Sequence, residues 1–201
     1  MRLLGNGIVT RSCRLLVFFS GIIKGAGFLV ETSMVDYLEQ ILRARVYDVA
    51  VETPLQPAPN LGASLGCEVL LKREDMQPVF SFKIRGAFNM IAKLDPSTRD
   101  RGVIAASAGN HAQGVALAAQ HFGIDALIVM PEETPAIKVE AVKRLGAAVL
   151  LRGETFQEAN SAAIVLARSE SKSYIPPFDH PDIIAGQGTV GVEILRQCPE
   201  P

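Results

Sequence analysis

The sequence predicts an α/β protein made of parallel sheets with helices on both faces. From residue 69 onward, short continuous apolar runs alternate with longer segments of helical periodicity. Prolines and glycines stand at the junctions, where they end one element and begin the next. Because strands that alternate with helices are joined by right-handed crossovers, the sheet that they form is expected to be parallel.

The first predicted elements are a helix and a strand. Leu38, Ile41 and Leu42 recur at the spacing of one helical face, so an amphipathic helix is predicted to begin near Asp36. Residues 69–72 form a short apolar run between polar segments, which predicts a strand.

The next elements are a helix, a strand and a second helix. A helix is predicted over 83–94, with Ser81 as its cap, because a serine hydroxyl accepts a hydrogen bond from a first-turn amide. The polar run DPSTRD at 95–100 separates this helix from the rest. Residues 103–106, VIAA, predict a buried strand, and the apolar spacing after it predicts a helix over 110–121.

The remainder of the chain repeats the strand and helix pattern. Pro131 is expected to end one strand, Pro135 to begin the following helix and Gly146 to end that helix. The predicted strands are 126–130, 147–151 and 174–175, and the predicted helices are 135–145, 154–169 and 183–197.

Lys83 lies in the heptapeptide SFKIRGA and is a candidate nucleophile. A lysine amine forms a Schiff base with an aldehyde when its surroundings lower its pKa and free the amine. Phe82 supplies an aromatic face, and Arg85 is a fixed cation that would disfavour a second positive charge nearby. A lysine that begins an amphipathic helix is more often solvated, so the heptapeptide alone does not establish a site.

The turn SAGNHAQG, 107–114, is a candidate anion-binding loop. A strand, a turn and a helix in this order would present the amides of the turn at a helix N-terminus, where unpaired N–H groups and the helix dipole favour anions. Gly109 would let the backbone approach the ligand closely. The alternative is an ordinary turn in which Asn110 caps the helix.

Five segments, in the same order, resemble the fold-type II pyridoxal phosphate enzymes, and most closely the biosynthetic threonine dehydratases (threonine ammonia-lyases). The similarity runs from about Val35 to the end of the chain, and several motifs in order are more specific than any one of them. The segments are TPLQ (53–56), LLKREDMQPVFSFKIRGAFNMI (70–91), ASAGNHAQGVA (106–116), IVMPEETPAIKVEAVKRLGA (128–147) and PPFDHPDIIAGQGT (176–189).

The resemblance implies a fold, a cofactor and a set of site residues. It implies a tryptophan synthase β-like architecture and pyridoxal 5'-phosphate as the cofactor. Lys83 would form the Schiff base with the cofactor and act as the catalytic base, Phe82 would pack beside the cofactor, and Asn110 would hydrogen-bond its ring hydroxyl. The residues implied to bind the substrate carboxylate are Ser107, Gly109, Asn110 and His111.

In family terms the reaction is the dehydrative deamination of L-threonine to 2-oxobutanoate and ammonia, a step of isoleucine biosynthesis. L-Serine is a second candidate substrate, because one methyl group in an apolar pocket is worth only about 1–3 kcal/mol of discrimination. Two alternatives stay open at this point. One is a relative of the serine dehydratase or serine racemase type, and the other is an inactive truncated remnant.

The sequence departs from the family pattern after the GQGT segment. It contains no run of glycines of the kind that cradles the cofactor phosphate in the family, and no C-terminal regulatory region. The expected division is a small α/β domain over 103–175 and an incomplete large cofactor domain made of 34–102 and 176–201. The large-domain part is expected to expose apolar surface and to aggregate or bind a completing partner. Full-length family members are expected to be homo-oligomers.

Composition and charge argue against several other classes of protein. The chain is 48% hydrophobic and 20% charged, which is ordinary for a packed soluble domain. A formal net charge of −1 offers no basic footprint for nucleic acid or an anionic membrane. Cys13, Cys67 and Cys198 are odd in number and widely spaced, so neither a disulfide framework nor a metal site is predicted.

Residues 1–33 form a distinct zone. The zone carries four basic residues and one acidic residue around the apolar stretch 15–23, a pattern compatible with a secretory signal or an organelle transit peptide and too short for a membrane-spanning helix. Because the family resemblance begins near Met34, we interpret 1–33 as a leader or a mistranslated extension. The rest of the chain is expected in the cytoplasm.

Overall fold

The structure is a computed structural model that describes residues 14–18 and 36–199. The predicted leader, 1–33, lies outside the described residues apart from the strand at 14–18. Within the described ranges, no helix is both long enough and apolar enough to cross a bilayer.

Strands and helices alternate along the chain, and every predicted element is present with its ends within a few residues of the prediction. The strands are β1 (Arg14–Phe18), β2 (Leu55–Pro57), β3 (Glu68–Lys72), β4 (Val103–Ala106), β5 (Ala126–Met130), β6 (Ala148–Leu151) and β7 (Ser173–Tyr174). The helices are α1 (Tyr37–Leu42), α2 (Pro59–Leu65), α3 (Lys83–Lys93), α4 (Pro96–Arg99), α5 (Asn110–Phe122), α6 (Ala136–Lys143), α7 (Phe156–Ser169) and α8 (Pro181–Gln197), and a 3-10 turn covers Glu74–Met76.

Four of the strands form the parallel sheet that the sequence predicts. Their order is β6-β5-β4-β7, and each neighbouring pair is parallel. The register places Ile104 opposite Leu127, and Ile128 opposite Val149. Because each parallel neighbour is reached through a crossover, the helices that come after β4, β5 and β6 lie against the faces of the sheet.

Helices cover both faces of this sheet. Val103 and Ala105 of β4 belong to the core that includes the buried residues of α5, whereas Ile104 and Ala106 pack with α7. Successive side chains of a strand point to opposite faces, so each helix receives every second residue. The α7 residues in this contact are small and recur every four positions: Ala159, Ala163 and Ala167.

The second sheet is mixed, which corrects the prediction of parallel sheets throughout. Its order is β1-β3-β2; β1 is parallel to β3, but β2 is antiparallel to β3. The connection between β2 and β3 covers only residues 58–67, and a parallel crossover needs about a dozen residues or more. The short connection therefore returns the chain as an antiparallel neighbour.

Helix α1 does not bury the apolar face that the sequence predicts for it. Leu38 and Leu42 are 63% and 66% exposed. Ile41 is half-buried and points at α8, where a β-carbon placed on Gly188 would lie 2.6 Å from the Ile41 Cγ1 atom. The helix turns only part of its surface to α8, and the two leucines stay largely in solvent.

Glycines allow close contacts at helix α3, which begins at Lys83. On α8, a β-carbon placed on Gly186 would lie 2.6 Å from the Arg85 carbonyl oxygen and from the Gly86 Cα atom. On α5, a β-carbon placed on Gly114 would lie 3.1 Å from the carbonyl carbon and oxygen of Lys83. Side chains larger than hydrogen would hold the helices apart, so these glycines set how closely α5 and α8 approach the beginning of α3.

Candidate active site

The Lys83 amine lies at the first residue of α3 and is partly buried. Its Nζ atom donates a hydrogen bond to the carbonyl oxygen of Pro177 at 2.8 Å. The same atom lies 5.5 Å from the ring centroid of Phe82 and 5.6 Å from that of Phe178. The amine therefore lies close to two aromatic rings that come from distant segments of the sequence.

Burial lowers the pKa of the Lys83 amine, because a charged ammonium is poorly solvated where water is partly excluded. The direction is the one that Schiff-base chemistry needs. The predicted contribution of Arg85 is wrong, since desolvation is the cause and the Arg85 charge is neutralised by two carboxylates.

Arg85 belongs to a buried ionic network and is not an electrostatic neighbour of the amine. Its guanidinium donates to both oxygens of Glu74, each at 2.8 Å, and to both oxygens of Glu193, at 2.5 and 3.0 Å. Lys72 makes a further ion pair with Glu193 at 2.6 Å. All four charged side chains are fully buried, and two cations balance two anions. The network therefore joins β3, the 3-10 turn, α3 and α8.

The structure corrects the predicted cap of α3 and excludes Asn110 as the cap of α5, which was the alternative to an anion-binding loop. Phe82, not Ser81, is the N-cap of α3, although the Ser81 hydroxyl accepts a hydrogen bond from the Lys83 amide at 3.2 Å. Gly109, not Asn110, is the N-cap of α5, and Asn110 is the first residue of that helix.

The turn before α5 has the geometry of an anion-binding loop. The Ser107 amide continues the β4 ladder by donating to Val129, and the Ser107 hydroxyl accepts from the Gly109 amide at 3.2 Å. No side-chain cap occupies the first amides of α5, and a β-carbon placed on Gly109 would meet no atom of the described chain within 4 Å. The start of α5 is consequently open, with the positive end of a helix dipole facing it.

The side chain of His111 is almost entirely buried at this site. One ring nitrogen, Nε2, lies 3.0 Å from the carbonyl oxygen of Ile175. Burial lowers the pKa of His111 to about 4, and the nearby Lys83 charge lowers it further, although the Ile175 carbonyl acts in the opposite direction. The ring is therefore neutral near pH 7, and because a carbonyl only accepts, the proton is on Nε2. The buried Nδ1 atom has no hydrogen-bond partner in the described part of the chain.

The structure brings Lys83 and the 107–111 turn together. The Gly114 contact holds α5 against the Lys83 backbone, and His111 is close enough to interact with the Lys83 charge. The segment 175–177 links them a second time, because its carbonyls bond to His111 and to Lys83. Phe82 is beside the amine. In the turn, Ser107 is half-exposed, and Gly109 and Asn110 are exposed.

Sequence reasoning missed two residues that contact the amine, Pro177 and Phe178. Both lie in the segment PPFDHPDIIAGQGT, whose resemblance to the family implied no role for either of them. The two neighbouring prolines were a signal of a rigid extended segment, because proline fixes φ and favours an extended residue before it. Nothing local indicated that this segment returns to residue 83.

The fold and the site together define an α/β protein in which a half-buried amine faces the open N-terminus of a helix. Residues 46–201 match the family described as pyridoxal-phosphate dependent enzyme. The chain belongs to that family.

Comparison with curated relatives gives high identity over most of this chain. The chain is 63% identical over 162 residues to threonine dehydratase 1 biosynthetic, chloroplastic, of Solanum lycopersicum, covering 81% of this chain and 27% of that protein. It is 58% identical over 162 residues to the mitochondrial threonine dehydratase of Saccharomyces cerevisiae, covering 81% and 28%. The chain thus spans less than a third of the length of these relatives.

Solved structures agree in fold. The processed form of threonine deaminase isoform 2 from Solanum lycopersicum superposes with a TM-score of 0.77 at 55% identity, over 80% of this chain and 44% of that one. Maize serine racemase has the same TM-score of 0.77 at 36% identity, over 81% of this chain and 50% of that one. The fold-type II architecture that the resemblance implied is confirmed.

The residues present fit the reactive side of pyridoxal phosphate. A lysine amine with a lowered pKa fits its aldehyde, and the open start of α5 leaves backbone amides for an anionic ligand beside that amine. The sequence has no glycine run that would identify a holder for the phosphate. The fit therefore concerns the aldehyde side of the cofactor.

Proposed function

We propose that this chain is part of a pyridoxal phosphate-dependent threonine dehydratase, which converts L-threonine to 2-oxobutanoate and ammonia in isoleucine biosynthesis. One observation carries the proposal: Gly114 lets α5 pack directly against the Lys83 backbone, so that the Lys83 amine and the N-terminus of α5 belong to one site. The 63% identity to a biosynthetic threonine dehydratase supports the choice of reaction.

In this proposal Lys83 has two roles. Its Nζ atom would hold the cofactor, and the same atom, once freed, would remove the Cα proton of the substrate as a general base. Both roles need the neutral amine, which burial favours. Arginine would not serve, because a guanidinium stays protonated at any working pH. When bound, pyridoxal phosphate supplies the aldehyde and a ring that stabilises negative charge at Cα.

The turn before α5 is proposed to orient the substrate. We assign Ser107, Gly109, Asn110 and His111 to the substrate carboxylate. Asn110 and His111 would donate their amides at the N-terminus of a thirteen-residue helix, Ser107 would donate its hydroxyl, because its amide is bonded to Val129, and Gly109 would let the ligand approach the backbone closely. Asn110 is also assigned to the ring hydroxyl of the cofactor, and Phe82 to one face of the cofactor. His111 contributes its backbone, since its ring is turned to Ile175.

Threonine is preferred to serine as the proposed substrate because of sequence identity. The tomato and yeast threonine dehydratases are 63% and 58% identical to this chain, and maize serine racemase is 36% identical. L-Serine stays the second candidate, and an inactive remnant stays the alternative to an enzyme.

The proposed organisation is a small domain over 103–175 and a large cofactor domain to which 34–102 and 176–201 contribute. We propose that further polypeptide, from the same or another chain, completes the large domain, and that the complete protein is a homo-oligomer. A cytoplasmic location also stays a proposal. The tomato and yeast relatives are named chloroplastic and mitochondrial, respectively. Fractionation of the source cells tests the location.

The proposed function is tested with the purified chain and added pyridoxal phosphate. We expect a visible absorption band, which Lys83→Ala abolishes, and ketoacid production from L-threonine. Lys93→Ala is the matched control, since Lys93 ends the same helix and forms only a partly exposed ion pair with Asp182. A band without ketoacid would show cofactor binding by an inactive remnant. No band in the intact chain would contradict activity in this form.

A further inference from the structure

Three groups surround the Lys83 amine and form what we call the amine cage: the rings of Phe82 and Phe178 and the Pro177 carbonyl oxygen. The carbonyl accepts a hydrogen bond at 2.8 Å, and the ring centroids lie 5.5 and 5.6 Å from Nζ. Pro177 and Lys83 are 94 residues apart in sequence, so the fold assembles the cage.

Each member of the cage favours the ammonium form of Lys83. A carbonyl oxygen bonds an ammonium more strongly than a neutral amine, and a cation within about 6 Å of an aromatic centroid is attracted to the ring. Burial acts in the opposite direction and lowers the pKa of the amine. The protonation of Lys83 therefore depends on a balance between desolvation and the cage.

We propose that Phe178 is a positioning residue for Lys83, which holds the amine at the Pro177 carbonyl and limits the fraction of neutral amine until an aldehyde arrives. The inference rests on the proposed function only in the role given to Lys83. Phe178 is the informative member of the cage, because its side chain is 63% exposed and can be changed without opening the core.

None of the other charged or titratable groups named near the amine replaces the effect proposed for the Phe178 ring. His111, on α5, interacts with Lys83 but is neutral near pH 7, because burial lowers its pKa to about 4. Arg85, on the same helix as Lys83, is neutralised by Glu74 and by Glu193 of α8. Asp179 is the next residue after Phe178, and substitution of the ring leaves it in place.

The test is a pH titration of the Lys83 side chain by NMR in the chain without cofactor, with the resonance assigned through Lys83→Ala. Phe178→Leu keeps an apolar side chain but removes the ring quadrupole. A cation–π contact at an exposed site is worth about 0.5–1 kcal/mol, so the pKa should fall by about 0.4–0.7 units. At neutral pH the rate at which Lys83 reacts with an aldehyde should correspondingly rise about two- to fivefold.

Two variants separate this role from a structural one. Phe178→Trp should restore the pKa, because the indole ring is the strongest partner for a cation. Phe156→Leu should leave the pKa unchanged, since Phe156 lines the same cavity of about 250 Å³ as Phe178 and makes no cation–π contact with the amine in the described chain.

An unchanged or raised pKa in Phe178→Leu would overturn the inference. Because the titration uses no cofactor, its outcome is separate from that of the proposed function. If Phe178→Leu lowers the pKa but the chain never forms a cofactor adduct at Lys83, the proposed function is rejected and the inference about the amine cage stands.

Discussion

Arg85 on α3 and Glu193 on α8 form a fully buried ion pair, with 2.5 Å between Nη1 and Oε1. The same guanidinium is bonded to Glu74, and the same carboxylate to Lys72. Because Arg85 is only two residues after Lys83, this pair fixes the position of the first turn of α3, which carries the Lys83 side chain. A buried pair of this kind is costly to break from one side, since the remaining charge has no water to replace its partner.

Replacing Arg85 by methionine should therefore destabilise the chain strongly. We expect a loss of about 3–5 kcal/mol in the free energy of unfolding, measured by urea denaturation. Arg43→Met is the control, because Arg43 pairs with Glu39 on the surface, where a loss of about 0–1 kcal/mol is expected. Equal effects of the two substitutions would show that the buried network does not stabilise the fold.

Alanine at two glycines of α8 should have opposite effects. Gly186→Ala places a β-carbon 2.6 Å from the α3 backbone, so overpacking should cost about 1–3 kcal/mol and weaken cofactor binding at Lys83. Gly191→Ala meets no atom of the described chain within 4 Å and should stabilise the helix by about 0.5–1 kcal/mol. Thermal unfolding of both variants measures the difference, and a stabilising Gly186→Ala would contradict the close helix contact.

The buried His111 should make stability depend on pH between about 6.5 and 4. In this window the unfolded chain gains a proton on histidine and the folded chain does not, so stability is complete above the unfolded pKa and falls as the pH falls toward the folded pKa. The loss should be on the order of 3 kcal/mol. His111→Gln keeps a donor for Ile175 and should flatten this part of the profile in urea titrations at several pH values. A variant profile as steep as that of the parent would assign the dependence to other groups.

Limited proteolysis should release a resistant fragment from Arg101 to about Tyr174. The parallel sheet of β4 to β7 and its covering helices lie within that range, and its strands are bonded to one another. The range also shares a core with α3, where Phe88 stacks on Phe122 at 5.0 Å between ring centroids. Uniform digestion would show that this shared core is required and that 103–175 does not fold as a unit.

Much of the fold could be predicted because its signals are local. The runs 103–106 and 126–130 are continuous and apolar, and Pro131 follows the end of β5 while Pro135 is the N-cap of α6, as predicted. Gly146 is not the helix cap that was predicted, because α6 ends at Lys143 with Arg144 as its C-cap, but it turns the chain toward β6 in the left-handed region at a φ of 86°. Strand β2 and helix α2 were missed because they are short and lack an apolar period. The antiparallel pairing of β2 was missed for the same reason.

The site was only partly readable from the sequence. Lys83 and the turn at 107–111 have local signatures, and their approach results from the fold. The Arg85–Glu193 pair and the position of Phe178 beside Lys83 could not be predicted, because Glu193 is 108 residues from Arg85 and Pro177 is 94 residues from Lys83 in sequence. Only packing of α3 against α8 and the return of the 175–178 segment bring these groups together.

The most direct test of the central claim is to trap the cofactor on the purified chain with borohydride and to map the modified peptide by mass spectrometry. The account predicts one predominant pyridoxyl adduct, on the peptide that contains Lys83, and its loss in Lys83→Ala but not in Lys93→Ala. An adduct spread over several surface lysines, or one retained in Lys83→Ala, would contradict the assignment of Lys83 as the cofactor-bearing residue.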